Sequence, residues 1–520
     1  MKEKVLSFHF LNWAKNNKRQ LLLLIVLCLV TYANSLPNEF VSDDTRAFLE
    51  SRKLSDFNSV LAQPLQFFQP LEYFIILSLF GPNPAILRSV TVIFHVATVL
   101  SGYLLVWILS KKSTAFVAAA LFAVHPILVE SVAWISGGIH VRYAFLLMVS
   151  LIAHVFAAVS GKNIYWFLSV LFAFLAFSAS EKAMVIPFLL LLFQIVYRIR
   201  ISWKHFLPFL VLIFIYGTVM FYGYGVRTSA YEFQHVKERA LDNPLVQVPV
   251  TLTSYFELIF FPKDLTLYHT ELVFTYREFA FRAAVTVVYF ILIVIYYFLN
   301  PFVSFFLAFF TVSLLPTLTP LGISWYVAER YAYLATFGII ATTAFSFTWL
   351  YERIKVKYLS YLLFIILTLL LMVRTMIRNA DWKNGDRLYL AAAKTSPSSP
   401  QNHNNLGDYY ARQKQFDRAV AEFELAIKLL PRYADAYHNL ATTYVQLGKI
   451  QEAVANFEKA LELNPSLWQT HAALALVYYN QNQYEAALSH LDKAISLNQA
   501  NASLVAAREQ VRSILAGKGQ

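Results

Sequence analysis

Apolar stretches separated by short polar interruptions fill the first 380 residues, and a different, strictly repeating pattern follows. Stretches close to spanning length run at 20 to 36, 86 to 109, 114 to 134, 141 to 160, 164 to 180, 183 to 197, 204 to 222, 281 to 299, 302 to 319, 331 to 350 and 358 to 377. They predict about 11 membrane helices, some interrupted by Pro126, Pro187 and Pro208. In the tail, Leu406, Leu440 and Leu474 are 34 residues apart, as are Tyr410, Tyr444 and Tyr478, then Ala419, Ala453 and Ala487, and again Ala426, Ala460 and Ala494. A period of 34 predicts helical hairpins that bury their apolar faces only by stacking on one another. The expected organisation is all-α: a polytopic membrane domain over 1–380, with outside loops at 36–84 and 224–279, and a linker at 381–399. Three hairpins at 400–431, 432–465 and 466–499 follow, with a capping helix at 500–516.

Composition agrees with this reading, since 58% hydrophobic and 14% charged residues in 520 is too apolar for a soluble protein. The net charge of +12 does not point to nucleic acid, because the tail from Ser396 balances 11 basic against 11 acidic residues, leaving 32 basic and 20 acidic in the membrane part. Dense basic clusters at Lys111–Lys112, Lys162, Arg198 to Lys204 and Arg353 to Lys357 fall on one side with the amino terminus, the cytoplasmic side by the positive-inside rule. An odd number of spans then places the tail outside the cytoplasm. Of the 20 acidic residues of the membrane part, only Glu3 and Glu352 fall inside, so ionisable chemistry belongs to the outer face. The single cysteine, Cys28, excludes an intrachain disulfide framework.

Three groups of residues have the right types for chemistry on that face. Asp43 and Asp44 follow the first span; one carboxylate can accept a proton from an acceptor hydroxyl, and its neighbour can raise its pKa or bind a cation, although Ser-Asp also caps helices. His125 and Glu130 flank Pro126 at the outer end of a span, where they either line a polar cavity for a sugar or phosphate or mark an interfacial helix break. Lys182, Glu329 and Arg330 enter spans from the outside; the cations suit a lipid phosphate, and a local Glu–Arg pair orienting a helix is the alternative. Arg142 and Arg227 are further candidates for the phosphate. No zinc spacing, P-loop, dinucleotide-binding glycine pattern or nucleophile elbow is present.

The order of motifs resembles one family. Asn38 to Asp44 after the first span, Gln69-Pro70-Leu71, His95, the block from His125 to Gly137, Glu181-Lys182-Ala183, Glu329 to Leu334 and the tail are similar to the membrane-embedded GT-C glycosyltransferases that end in tetratricopeptide repeats. The best known of these are the transmembrane and tetratricopeptide repeat-containing protein O-mannosyltransferases. The resemblance implies transfer of a sugar from a polyprenyl-phosphate carrier on the extracytoplasmic side of a plasma (inner) membrane. Asp43 would act as base beside Asp44, and Lys182 and Arg330 would stabilise the departing phosphate. No cofactor is assigned; a divalent metal stays open. Relatives commonly carry Arg and Asp after the position of Gly137, where this chain reads Gly138-Ile139-His140-Val141-Arg142, so the sugar is left undetermined. The short repeat tail fits a bacterial member.

Such repeats bind peptides along the surface formed by the first helix of each hairpin. Asn405 and Asn439 precede the repeat leucines, where an amide can bond an extended backbone, and the third hairpin has Ala473 instead. Asp408, His438 and Thr442 are expected on the same groove. The leading expectation is therefore a membrane enzyme, embedded in the lipid bilayer, that modifies a protein acceptor bound by the tail. A transferase acting on a lipid or glycan, a non-catalytic scaffold and a transporter are the alternatives.

Overall fold

A backbone inside lipid must satisfy its own N–H and C=O groups, and a helix does so within one segment. In the computed structural model all eleven apolar stretches are helical over most of their length. The structure describes the chain except residues 51–53, 55, 62–64, 233–242, 271, 273, 319–324, 354–356, 499–500 and 519–520, and except the side chains of 46, 50, 61, 219–232, 357 and 518. No strand occurs among the described residues.

Among the described residues six helices are long and apolar enough to cross a membrane: Phe10–Ser35, Pro84–Leu109, Ser136–Ser160, Tyr276–Leu299, Glu329–Arg353 and Tyr358–Asp381. A seventh crossing results if Lys112–Ala123 and Pro126–Ala133, bent by 53°, form one span. The bend has a local cause: Pro126 has no N–H to continue the ladder, and His125 Nδ1 accepts the Ile127 N–H at 3.3 Å, starting a new turn. The other four predicted stretches are shorter as apolar helices, Asn163–Ala179, Ile186–Val196, Trp203–Thr218 and Pro301–Thr317. Length and composition therefore give six or seven full crossings among the described residues, against the eleven expected.

Burial separates the inner helices from the outer ones. Ser136–Ser160 and Glu329–Arg353 are 67% and 61% buried over their apolar windows, whereas Tyr276–Leu299 and Tyr358–Asp381 are 11% and 17% buried. The outer pair exposes Val287, Ile291, Phe298 and Leu370, an apolar surface suited to lipid rather than water. The first long loop, 36–84, contains the short helices Asp43–Thr45 and Phe57–Leu61, then Phe68–Phe80, which starts at the Gln69-Pro70-Leu71 motif. The second contains Pro244–Phe260, capped by Asn243 and buried all round from Val250 to Tyr255.

The chain divides into two compact units, with a boundary between Leu388 and Tyr389. The stretch expected as a linker includes the helix Gly385–Thr395. The tail forms three hairpins, Pro400–Arg412 with Phe416–Leu429, Ala434–Gln446 with Ile450–Leu463, and Trp468–Asn480 with Tyr484–Leu497, followed by Ala502–Lys518. Small residues at equivalent places, Ala419, Ala453 and Ala487 and again Ala426, Ala460 and Ala494, are fully buried and let the helices approach. Each hairpin turns through a left-handed residue: Lys414 (φ 58°), Gly448 (φ 73°) and Asn482 (φ 60°). The next N–H returns to the carbonyl five residues back, Gln415 to Tyr410, Lys449 to Tyr444 and Gln483 to Tyr478, each at 2.9 Å. Glycine and asparagine tolerate this conformation and lysine does not. Lys414→Gly is expected to stabilise the first hairpin by about 1 kcal/mol, read as a higher denaturation midpoint of the tail in the full-length chain.

Candidate functional site

One short stretch, residues 129–142, gathers polar contacts from several distant segments of the membrane unit. It runs as the helix Val129–Ala133, the turn Ser136–Gly138 and the first residues of Ile139–Ser160. The turn needs its glycines: a Cβ on Gly137 would lie 2.9 Å from the Trp134 ring, and one on Gly138 would lie 2.9 Å from Thr91 Oγ1.

The acidic pair divides in two. Asp44 is fully buried; its Oδ1 accepts the Ser136 N–H at 2.9 Å and the Ser136 hydroxyl at 2.5 Å, and its Oδ2 accepts the Val41 N–H at 3.4 Å. Burial raises its pKa to about 6, against the opposing pull of the Ser136 hydrogen bonds. Asp43, on the same turn, is exposed. Beneath them the buried Arg88 guanidinium donates to four backbone carbonyls, Ala133 at 2.6 Å, Leu36 at 3.1 Å, Asn38 at 2.8 Å and Glu39 at 3.1 Å. That clamp fixes the entry to the first loop. Asn38 Nδ2 and the Glu39 N–H also donate to the carbonyls of Asn379 and Lys383, both at 2.9 Å.

Arg142 is buried and holds Glu72 bidentately, Nε to Oε2 at 2.7 Å and Nη2 to Oε1 at 2.5 Å, with Nη1 to Thr91 Oγ1 at 3.2 Å. Tyr73, next to Glu72, donates to the Ile135 carbonyl at 3.0 Å. Arg142 is thus committed to a carboxylate. Arg330 is paired as well: its guanidinium bonds the buried Glu130 carboxylate, and its backbone N–H donates to Glu130 Oε2 at 2.8 Å. Lys182 differs. Its Nζ is enclosed 3.5 Å from the centre of the Tyr331 ring, and among the described residues no acceptor reaches it. Burial and the charge of Arg330 push its pKa well down, while Glu181 and Glu130 pull it up. The His140 ring stands 5.9 Å from the same tyrosine, with its Nδ1 unpartnered.

His125 is a positioning residue. Its Nε2 faces the Ile259 carbonyl at 2.9 Å while Nδ1 caps the following turn, so both ring nitrogens are occupied. Glu329 is buried away from Arg330, accepting the Thr266 N–H at 2.5 Å and Arg378 Nη2 at 3.2 Å. His95 bonds the Tyr333 hydroxyl at 2.7 Å inside the helix bundle. The side chain of Arg227 lies outside the described residues. Among the described residues no three His, Cys, Asp or Glu side chains are placed to hold a metal ion. The sequence pattern assigns no role to Glu72 or Ser136, though both stand in its motifs, nor to Arg88, although a charge inside an apolar span is a signal.

In the tail, Asn439 Nδ2 donates to Asn404 Oδ1 at 2.9 Å, linking the first helices of adjacent hairpins. Asp408 is exposed and pairs with Arg412 at 3.0 Å, and the exposed Thr442 hydroxyl donates to the His438 carbonyl at 3.0 Å. His438 is turned to Thr470 Oγ1 at 3.0 Å and packs on Phe457; burial lowers its pKa to about 4. Asn405 is half-buried on the first helix.

Tetratricopeptide-repeat family models match residues 398–466 and 438–503. A protein O-mannosyl-transferase of Caenorhabditis elegans is 25% identical over 468 residues, covering 80% of this chain and 63% of that protein. The chain is similar to the repeat-bearing protein O-mannosyltransferases. A Drosophila melanogaster Tmtc2 and a Homo sapiens TMTC2 protein O-mannosyl-transferase match at 30% and 27% identity, each over 21% of this chain and 12% and 13% of their own length. The chain spans less than two thirds of the length of these curated relatives. They are animal proteins and give the expected bacterial origin no support. Among solved structures, the Arabidopsis OM64 TPR domain aligns at 22% identity and TM-score 0.22, over 22% of this chain and 95% of that one. Pseudomonas aeruginosa pilF aligns at 21% identity and TM-score 0.24, over 29% and 68%.

Removing one partner of the enclosed Glu130–Arg330 pair strands the other charge. Glu130→Gln is expected to cost about 3–5 kcal/mol, seen as a lower thermal midpoint in detergent, and adding Arg330→Gln should cost less than the sum of the two single changes.

Proposed function

We propose that the chain is an integral-membrane glycosyltransferase that moves a sugar from a polyprenyl-phosphate donor to a Ser or Thr hydroxyl of a protein engaged by the repeats. The observation that carries this reading is the enclosed Lys182 amine, without an acceptor among the described residues, beside Arg330, whose partner Glu130 lies on the same scaffold stretch that anchors Asp44 through Ser136. Arg330 is already neutralised by Glu130, and Lys182, whose pKa burial holds down, takes up its charge when an anion arrives beside it. The similarity to protein O-mannosyltransferases supports mannose as the sugar.

In the proposed reaction the exposed Asp43 carboxylate takes the acceptor hydroxyl proton as that oxygen bonds to the anomeric carbon. The bond from that carbon to the carrier phosphate breaks, and the phosphate leaves with the electron pair. Lys182 and Arg330 stabilise the charge gathering on it, an effect strengthened by exclusion of water. Asp44 holds the turn that presents Asp43. A metal has little to bind here, since Asp44 is satisfied by Ser136 and Val41 and no third donor joins the pair among the described residues, so no step is routed through one. The positive-inside distribution supports an outward site, and the repeats on that same side of the membrane.

The test is transfer by the full-length chain, purified in detergent, from polyprenyl-phosphate mannose to Ser/Thr peptides. Asp43→Asn should lower transfer by about 100-fold or more at an unchanged thermal midpoint, whereas Asp44→Asn should lower both. Lys182→Met should reduce transfer by about 10- to 1000-fold. Full transfer by Asp43→Asn removes the assigned base. Transfer to lipid or glycan but not to peptide selects the other acceptor, and no transfer to any acceptor by the wild-type chain selects the scaffold.

A further inference from the structure

Two hairpins of the tail place a histidine at the same position with opposite partners. His403 and His471 are 68 residues apart, two repeat lengths, and each faces the residue 19 positions later on the second helix of its own hairpin: Glu422 for His403 and His490 for His471. Each also has the carbonyl of the proline six residues before it as a backbone partner, Pro397 at 2.8 Å and Pro465.

The partners decide the protons. His403 meets a carbonyl on one ring nitrogen and the Glu422 carboxylate on the other at 2.7 Å, so both nitrogens must donate and the ring carries a positive charge. His471 also gives one N–H to a carbonyl, and its Nδ1 lies 3.0 Å from His490 Nδ1. That contact needs one N–H and one lone pair, so at most one of the two rings can be charged. The ring centres are 5.3 Å apart, so the nitrogens meet almost head-on, an arrangement for one hydrogen bond that leaves no room for a bridging ion. One added proton can be shared across the contact; two put N–H against N–H.

The surroundings offer partial compensation only. Tyr478 stacks on His490 at 5.6 Å, and Glu458, from the preceding hairpin, favours a charge on His490. Lys493, one turn on, disfavours a charge on His471. The Thr470 hydroxyl beside His471 is bonded to His438 of the second hairpin at 3.0 Å. From the closing helix, Arg508 and Arg512 are paired with Asp492 and Glu509.

We propose that the His471–His490 contact is an acid-sensitive latch that opens the third hairpin while the His403–Glu422 pair keeps the first one closed. The signs are opposite. Burial depresses both pKa values in the third hairpin, so its contribution is present above the unfolded value of about 6.5 and lost as pH falls through it towards the folded values. Glu422 raises that of His403, so its contribution is full below about 6.5 and lost only as pH rises through the folded value.

The experiment is hydrogen exchange of the full-length chain in detergent at pH 7.5 and 5.0, corrected for intrinsic exchange. On acidification, peptides within 468–497 should lose protection by about tenfold or more relative to peptides within 400–429. His490→Glu rebuilds the first hairpin's pair in the third and should abolish that loss. Glu422→His should move it to 400–429, which keeps the test available if the first variant does not fold. An unchanged loss in His490→Glu, or none in 400–429 of Glu422→His, overturns the latch.

Discussion

Charge enclosed between apolar helices has to be answered from within the protein, and this constraint organises one end of the membrane unit. Arg88 is answered by four carbonyls, Arg142 by Glu72, Arg330 by Glu130 and Arg378 by Glu329. Each answer crosses between segments far apart in sequence, so the loops that enter the site are held by electrostatics as much as by packing. Lys182 is the exception, with an aromatic face, no acceptor among the described residues and a pKa that burial holds well down. A cost left standing in an otherwise balanced set is where a ligand's charge has most to contribute.

The helices were legible in the sequence because membrane helices and stacked hairpins both write themselves as periodic apolar patterns. Every predicted apolar stretch is helical, and the hairpins lie within the ranges read from the 34-residue spacing. What spacing could not supply was which polar residue meets which. Asp43 and Asp44 look equivalent in sequence, yet one is exposed and the other is buried against Ser136. Arg142 and Arg330 both looked like phosphate ligands, and each already has a carboxylate. Such pairings depend on contacts across 70 or 200 residues, which no local pattern encodes. His125 shows the same limit in reverse, since its neighbouring proline was read as a helix break but its ring is spent on the backbone.

In the tail the repeat fixes positions and leaves their chemistry free. The same place accommodates a lysine, a glycine or an asparagine in the left-handed turn, and a carboxylate or an imidazole opposite a histidine. Stability and response can therefore differ from one hairpin to the next without any change of fold.

Because residues 129–142 meet four other segments at once, their number matters more than most of their identities. A helix advances about 100° per residue, so one residue added after Glu130 within the helix Val129–Ala133 would swing either Glu130 or Ser136 off its partner whichever end stayed in place. The stretch acts as a molecular ruler: substitutions along it can be absorbed one at a time, but a change in its length would separate the acidic turn from the cationic one in a single step.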